Sequence, residues 1–429
     1  MFHSFFPRPK LFFGSFVLYA GFCVVAWFGL MKGLGPSLSL GGLFGWGYPE
    51  ALAEGAEEAV AAAHADATAW ATQFWFYQYK IVVYALFVVA WMRLSPHKWE
   101  QWSVIGSAAI IFFGWVSVQL DVVLLDWIRR FYNLIQDILQ GSEDFSEDQY
   151  YSLLNEFLVI ALALVILGAL LRFFISHYVF RWRTAMNDYY VSVWPKVRRI
   201  EGASQRVQED TMRFAEITQS LGDRFIDSFM TLIAFLPILW VLSEQLTDVP
   251  VIGAIPGSLV WIALAWSIGG TALLMAVGIK LPGIFFRIQR EEAAYRKELV
   301  IGEDDIGRAK PEELSGLYKG VRYQHFQKYF HFVYFDVARI TYLQVGVLVP
   351  FFAMAPSIIA GAITLGVFQQ IARTFDRVER SFQFLVYSWS TIVELLSIHK
   401  RLQAFEKAIN DIELDGIETE ILTQRQPAE

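Results

Sequence analysis

The chain has 429 residues, of which 55% are hydrophobic, 16% aromatic and only 18% charged. A soluble domain is nearer one-quarter charged, so the chain must contain long uncharged stretches, and these exclude an ordinary soluble fold. The net charge of −7 says little about partners, and the single cysteine, Cys23, excludes an intrachain disulfide.

In chain order, residues 11–31 contain no charge, and neither do residues 258–279. Each stretch exceeds the ~18–20 apolar residues that cross a bilayer core as helix. The first is too long for a signal-peptide core, lacks a small-x-small cleavage pattern and is followed by further apolar segments, so it reads as an uncleaved helix. The full pattern predicts an all-α polytopic membrane protein with about eight transmembrane helices, at 11–31, 72–92, 102–125, 156–178, 225–243, 258–279, 330–353 and 357–378. Between the first two, residues 33–47 are glycine-rich and irregular, and residues 50–70 are alanine-rich and acidic, which suits a short surface helix. Residues 129–151 are amphipathic, with Phe131, Leu134, Ile135 and Ile138 at helical spacing and an acidic end at Glu143, Asp144, Glu147 and Asp148. They read as a helix at the outer interface.

An even number of spans puts both termini on one side, and lysine and arginine mark the cytoplasmic side. Nine basic residues lie in 172–224, ten in 280–328 and seven from Arg373 onward, whereas the opposite loops hold Lys32, Arg129 and Arg130. Both termini are therefore expected in the cytoplasm. One transmembrane domain is expected over 1–410, with an outer insert at 32–71, cytoplasmic helical extensions at 179–224 and 280–328, and a polar tail at 411–429.

No G-x-x-x-x-G-K-[ST] phosphate loop occurs, and the nearest string, GLYKG at 316–320, has the wrong spacing. H-E-x-x-H and G-x-S-x-G strings are also absent. His325 and His331 are six residues apart and read as structural or interfacial groups. Neither an enzyme nor a primary pump built from this chain alone is expected, and no cofactor or metal.

Ionisable groups at membrane depth are functional candidates by default. Asp336 and Arg339 can pair within one helix, and Lys80 can snorkel from a helix end. Asp121 suits either a solvated cavity lining or an interfacial position. On a continuous helix Glu209, Glu216 and Asp223 share one face, because seven residues drift only about 20°. The stripe leads toward Asp227. Glu292 and Glu303, eleven residues apart, share a face if Gly302 does not break the helix. Two readings stand: a solvated charged face, with Glu292–Arg296 as an ordinary pair, or carboxylates lining a wet cavity and exchanging protons.

Several strings carry a resemblance: FFPRPKLFF at 5–13, RWRTAMNDYY at 181–190, EGASQRVQEDTMRF at 201–214, GIKLPG at 278–283, EAAYRKELVIGEDD at 292–305 and SFQFLVYSW at 381–389. In this order they resemble the SbmA/BacA family of bacterial inner-membrane peptide transporters. The resemblance implies a homodimeric importer driven by the proton gradient, taking up proline-rich antimicrobial peptides, bleomycin-like drugs and microcin-type peptides. It implies a fold similar to the membrane domain of ABC exporters without a nucleotide-binding domain. Acidic residues along the family's cavity relay protons, and the matching positions are Glu201, Glu209, Glu292, Glu298 and Glu303. Glu216 stands one turn before Gln219, where the family pattern has a glutamate. Asp121, Asp223 and Asp227 are candidates for the substrate cavity. The expected partners are membrane lipids, peptide substrates and a second copy of the chain, with no nucleic acid and no ATP. The alternative is an ABC-type membrane subunit partnered with a separate ATPase and moving a peptide or acyl-lipid substrate.

Overall fold

Hydrocarbon offers no hydrogen-bond partners, so a chain crossing it must satisfy its backbone internally, as helix or closed barrel. The computed structural model describes residues 1–50, 58–141, 146–198, 203–246, 249–250, 253, 255–305 and 307–409, and no strand occurs among them. The principal helices are α1 (Pro9–Ala26), α2 (Glu58–Leu94), α3 (Ser107–Leu139), α4 (Glu147–Ser192), α5 (Thr211–Ser243), α6 (Ser258–Gly278), α7 (Leu281–Asp304), α8 (Pro311–Ile359), α9 (Leu365–Phe382) and α10 (Phe384–Ile409).

Seven helical stretches among the described residues are long and apolar enough to cross a membrane. Their apolar side chains face outward: Leu158, Leu162, Val165, Leu170 and Phe173 of α4 are each more than half exposed. In water each would forfeit about 1.5–3 kcal/mol relative to burial. Lipid removes that penalty, which is why the fold needs so little internal core.

The eighth expected span, 357–378, is not a separate apolar helix. α8 runs through to Ile359, a turn with Gly361 at φ 64° follows, and α9 begins at Leu365. Thr364 caps α9 by accepting a hydrogen bond from the Val367 N–H at 3.3 Å. α9 is amphipathic, burying Ile371, Phe375 and Val378 while exposing Arg373, Asp376 and Arg380. Gln383 alone separates it from α10.

The interfacial helix expected over 129–151 is also corrected. α3 continues unbroken to Leu139, because its apolar stripe carries on past the charges and Trp127 stacks on Phe131. Arg130 is held by Asp126 at 3.0 Å and by Glu156 of α4 at 2.9 Å. Glu143 and Asp144 lie outside the described residues, whereas Glu147 and Asp148 open α4, where acids suit the helix dipole. Of the short surface helix expected in 50–70, residues 51–57 lie outside the described residues, and from Glu58 on the segment is the first part of the 37-residue α2. In the glycine-rich loop, Gly35 packs against Tyr48 and Trp75.

The chain divides into two compact units, Met1–Phe113 with Ala169–Ser220 and Val393–Glu429, and Gly114–Gly168 with Leu221–Ile392. In the first, Phe5 and Phe6 pack on Trp182 of α4, and Phe214 of α5 meets the same indole edge-on. In the second, α6, α8 and α9 pack together, with α7 and α8 forming a hairpin. Its core includes Leu239, Leu259, Met354, Ile371 and Phe375, all at most 1% exposed.

The closest approach in that core is made by Gly270 of α6, where a Cβ would lie 2.0 Å from the Tyr342 ring. Tyr342 is itself buried and stacked on Trp266, so it cannot yield cheaply. Gly270→Ala is expected to cost about 1–3 kcal/mol by overpacking and to lower the thermal midpoint in detergent. Gly269→Ala, which meets open space, should leave that midpoint unchanged or slightly raised.

Candidate functional site

A polar cavity of ≈ 230 Å³ opens between α5, α9 and α10 in the second unit. α5 contributes Arg224, Asp227, Ser228 and Thr231, which recur at three- and four-residue spacing and so share one face. α9 contributes Arg377, Arg380 and Ser381, and α10 contributes Phe384, Tyr387 and Ser388. The periodicity runs through Gln383, so α9 and α10 present one polar stripe. Ser388 is fully buried and its hydroxyl has no hydrogen-bond partner among the described residues.

Charge within this region is paired across helices. Arg377 of α9 meets Asp121 of α3 at 2.8 Å, with the Asp121 side chain only 16% exposed. Asp227 faces the same guanidinium and has Asp223 one turn away. Arg380 pairs with Asp376 on its own helix. Arg224 has no ion-pair partner among the described residues. Two unit charges at 4 Å interact by about 4 kcal/mol in a partly polar protein environment, so Arg377 ties α3 to α9. Arginines and hydroxyls can bind carboxylates and peptide carbonyls, while Asp227 can receive a cationic group.

Beside the cavity, on the buried flank of α9, lies a hydrogen-bonded network. Gln383 Nε2 donates to Glu379 Oε1 at 2.7 Å and to the Tyr342 hydroxyl at 2.6 Å. The Tyr342 hydroxyl donates to the Trp266 carbonyl at 3.3 Å.

The structure separates the sequence candidates. Asp227 lines the cavity, Asp121 pairs with the cavity-lining Arg377, and Asp223 stands one turn before Asp227 on α5. Glu209 lies in a π-helical turn, Arg206–Asp210, that precedes α5. This turn inserts extra backbone, so the seven-residue register from Glu209 to Glu216 and Asp223 does not carry through it. Glu209 accepts from Gln205 at 3.2 Å and pairs with Arg213 at 3.2 Å. Glu216 is exposed on α5. Gln219 donates to Ser176 of α4 at 2.8 Å. Glu201 lies outside the described residues.

Glu292 and Glu303 do lie on one continuous helix, α7, with Gly302 inside it. The partner of Glu292 is His325 of α8 at 3.2 Å, in place of the expected Arg296. Glu303 is exposed. Glu298 closes the α7–α8 hairpin, accepting from Arg308 at 2.6 Å and from the Ala309 N–H at 3.2 Å. Asp336 and Arg339 pair at 3.0 Å as their spacing predicts, and Lys80 lies over the Phe76 ring.

Sequence reading missed Arg224, Arg377, Glu379 and Arg380. The signal was available for Glu379, because it occupies the register of the buried stripe Ile371, Phe375, Val378. It was hidden because a span drawn at 357–378 stops one residue short.

A family model described as SbmA/BacA-like matches residues 96–410, most of the chain. The chain belongs to the SbmA/BacA-like family. Membership, together with the apolar helices, places it among multi-pass membrane transport proteins. Among curated relatives, the inner membrane ABC transporter ATP-binding protein YddA of Escherichia coli is 24% identical over 74% of this chain and 58% of its own length. An uncharacterized ABC transporter ATP-binding protein of Synechocystis is 24% identical over 76% of this chain and 49% of its own length. The ABC transporter D family member 2, chloroplastic, of Arabidopsis thaliana is 23% identical over 54% and 33%. The chain thus spans about half to three-fifths of the length of the first two relatives.

For this SbmA/BacA-like protein the Asp121–Arg377 pair yields a direct test. Arg377→Gln strands two aspartates at membrane depth and should destabilise the protein by about 1–3 kcal/mol, less than a fully buried pair because Arg377 is partly exposed. Adding Asp121→Asn should restore part of that loss. Thermal unfolding of the two single variants and the double variant in detergent measures the coupling.

Proposed function

We propose that the chain is the membrane body of a homodimeric, proton-gradient-driven importer in the bacterial inner membrane. Its substrates are peptides and peptide-like antibiotics: proline-rich antimicrobial peptides, bleomycin-like drugs and microcin-type peptides. The observation that carries the reading is the cavity of three arginines, one aspartate and several hydroxyls among apolar helices, in a chain of the SbmA/BacA-like family. Mixed charge and hydroxyls suit many peptide backbones and side chains at once, and weak multi-point contact supports a broad substrate range. The chain is not an enzyme on this reading and uses no ATP. One proton crossing 100 mV supplies ~2.3 kcal/mol, sufficient for modest uphill uptake.

Orientation follows from the lysine and arginine asymmetry, with both termini cytoplasmic. That assignment needs an even number of crossings, which α9 and α10 complete by crossing as one rod. Its polarity fits a helix facing water rather than lipid. Glu209, Glu292 and Glu303 are the proposed coupling carboxylates, with Glu216 and Glu201 as further relay positions. Glu298 is assigned a structural part in the hairpin, alongside its match to the family motif. Asp121, Asp223 and Asp227 border the substrate path.

A second reading is favoured by the relatives, which are named as ABC transporter ATP-binding proteins. In it, the chain is an ABC-type membrane subunit working with a separate ATPase on a peptide or acyl-lipid substrate. Purified protein in ATP-free liposomes separates the two. Accumulation of a labelled proline-rich peptide under an imposed pH gradient is the expected result, and uptake only after addition of ATP and a partner ATPase would establish the second. In the same assay, Glu→Gln at a true coupling position among 209, 292 and 303 abolishes gradient-driven accumulation and retains peptide binding. Parent rates in all three variants would move the relay to Glu216, Asp223 and Asp227.

Topology is tested independently. Ser37 and Ser315 are both exposed. Single cysteines there, in a Cys23→Ser background, should react with an impermeant thiol reagent from opposite faces. Labelling of position 315 from outside intact cells would reverse the assignment.

A further inference from the structure

The charges of the polar cavity are not all matched. Arg377 is held by Asp121 at 2.8 Å, and Arg380 pairs with Asp376. Arg224 has no ion-pair partner among the described residues. Asp227 is in no ion pair among them either, although it faces the guanidinium that Asp121 holds. Arg224 and Asp227 both line the cavity and stand three residues apart on one face of α5. A cation and an anion are thus presented side by side, each without a counter-charge of its own.

A third unmet group is Ser388. It is fully buried, it lines the same cavity, and its hydroxyl has no hydrogen-bond partner among the described residues. A buried hydroxyl left unpaired is costly, and a ligand in the cavity removes that cost. Size narrows what the ligand can be. The cavity holds ≈ 230 Å³, below the ~300–1,000 Å³ of pockets that enclose drug-sized molecules. It suits a small dipolar head group.

Depth and surroundings narrow it further. Arg224 immediately precedes residues 225–243, a stretch whose only charge is Asp227. An arginine at the end of such a stretch reaches the headgroup region that borders the hydrocarbon. An apolar track begins at the same place. Phe384 lines the cavity and packs on Phe225 with ring centroids 5.9 Å apart. Phe225 stacks in turn on Phe229 at 6.1 Å. Phe225, Phe229 and Ile233 are all exposed, at four-residue spacing along one ridge of α5. A polar recess with an apolar ridge leading from it toward the bilayer core matches the two halves of a phospholipid.

We propose that this cavity binds the head group of a phospholipid that carries a primary amine. The phosphate lies on Arg224 and the Ser388 hydroxyl, the ammonium on Asp227, and an acyl chain along Phe225, Phe229 and Ile233. A guanidinium matches phosphate oxygens with a fork of N–H donors, and an ammonium offers three donors to a carboxylate. Side chains three residues apart on a helix are about 5–6 Å apart at Cβ, a separation that a two-carbon ethanolamine bridge can span. A choline head has the same charges but no N–H donor, and a glycerol head has the phosphate without the cation. Neither satisfies Asp227. The inference does not rest on the import reading, because the head group occupies the cavity when no peptide does.

The test is native mass spectrometry of the full chain in detergent, titrated with phosphatidylethanolamine, phosphatidylcholine and phosphatidylglycerol of identical acyl chains. For the first lipid bound, phosphatidylethanolamine should be favoured about tenfold over the other two, the effect of one charged hydrogen bond. Arg224→Gln should weaken all three, and Ser388→Ala should weaken them by less. Asp227→Asn should bring phosphatidylethanolamine down to the level of phosphatidylglycerol. The same variant should bind phosphatidylglycerol at least as well as the parent does, which shows that it is folded. Equal binding of the three lipids by the parent overturns the proposal. So does a preference for phosphatidylethanolamine that survives in Asp227→Asn, or an unchanged affinity in Arg224→Gln. No peptide or gradient is present in this measurement, so a failure of peptide uptake in liposomes counts against the import reading alone.

Discussion

The hydrocarbon of the bilayer governs where each charge in this chain can sit. A helix that faces lipid may expose leucine, valine and phenylalanine freely, and α4 does so along most of its length. An arginine or aspartate at the same depth must find water or an opposite charge. Arg377 and Asp121 meet that demand together, at 2.8 Å, from α9 and α3. Their pairing accounts for a helix as charged as α9 standing among apolar ones. It also accounts for the polar stripe from Arg377 to Ser388, which lines the cavity.

Acids that look alike in sequence meet three different environments. Glu209, Glu292 and Glu298 sit on helix extensions and find local partners in Arg213, His325 and Arg308. Asp121, Asp223 and Asp227 gather near a guanidinium beside a cavity. Glu379 is buried with an amide and an indole. Exposed pairs of the first kind contribute little to stability because water screens them, which leaves such groups free to exchange partners during a transport cycle. Asp223 and Asp227 are exposed, whereas Glu379 is held among buried neighbours. Close glycine contacts tighten that packing: Gly270 against Tyr342 and Gly346 between Glu379 and Trp266 leave little slack between α6, α8 and α9.

Much was legible in the sequence alone. Hydropathy over some 20 residues reports transfer into lipid, a local and additive property. That is why seven of the spans, the all-α class and the family motifs could be read directly. The pairing of Asp336 with Arg339 was legible for the same reason, since three residues apart on a helix are neighbours in space. The course of the chain at 129–139 and 357–382 was not legible. There, the question whether a charged helix continues or turns is decided by partners distant in sequence, such as Glu156 for Arg130 and Asp121 for Arg377. The register of Glu209 was lost at a π-helical turn that periodicity does not reveal. The site was least legible of all. Arg377, Glu379 and Gln383 lie within seven residues of one another, yet one faces Asp121 on α3, one is buried beside Trp266, and one bridges to Tyr342. Only tertiary packing distinguishes them, because the environment of a charge in a membrane is set by which helices stand next to it.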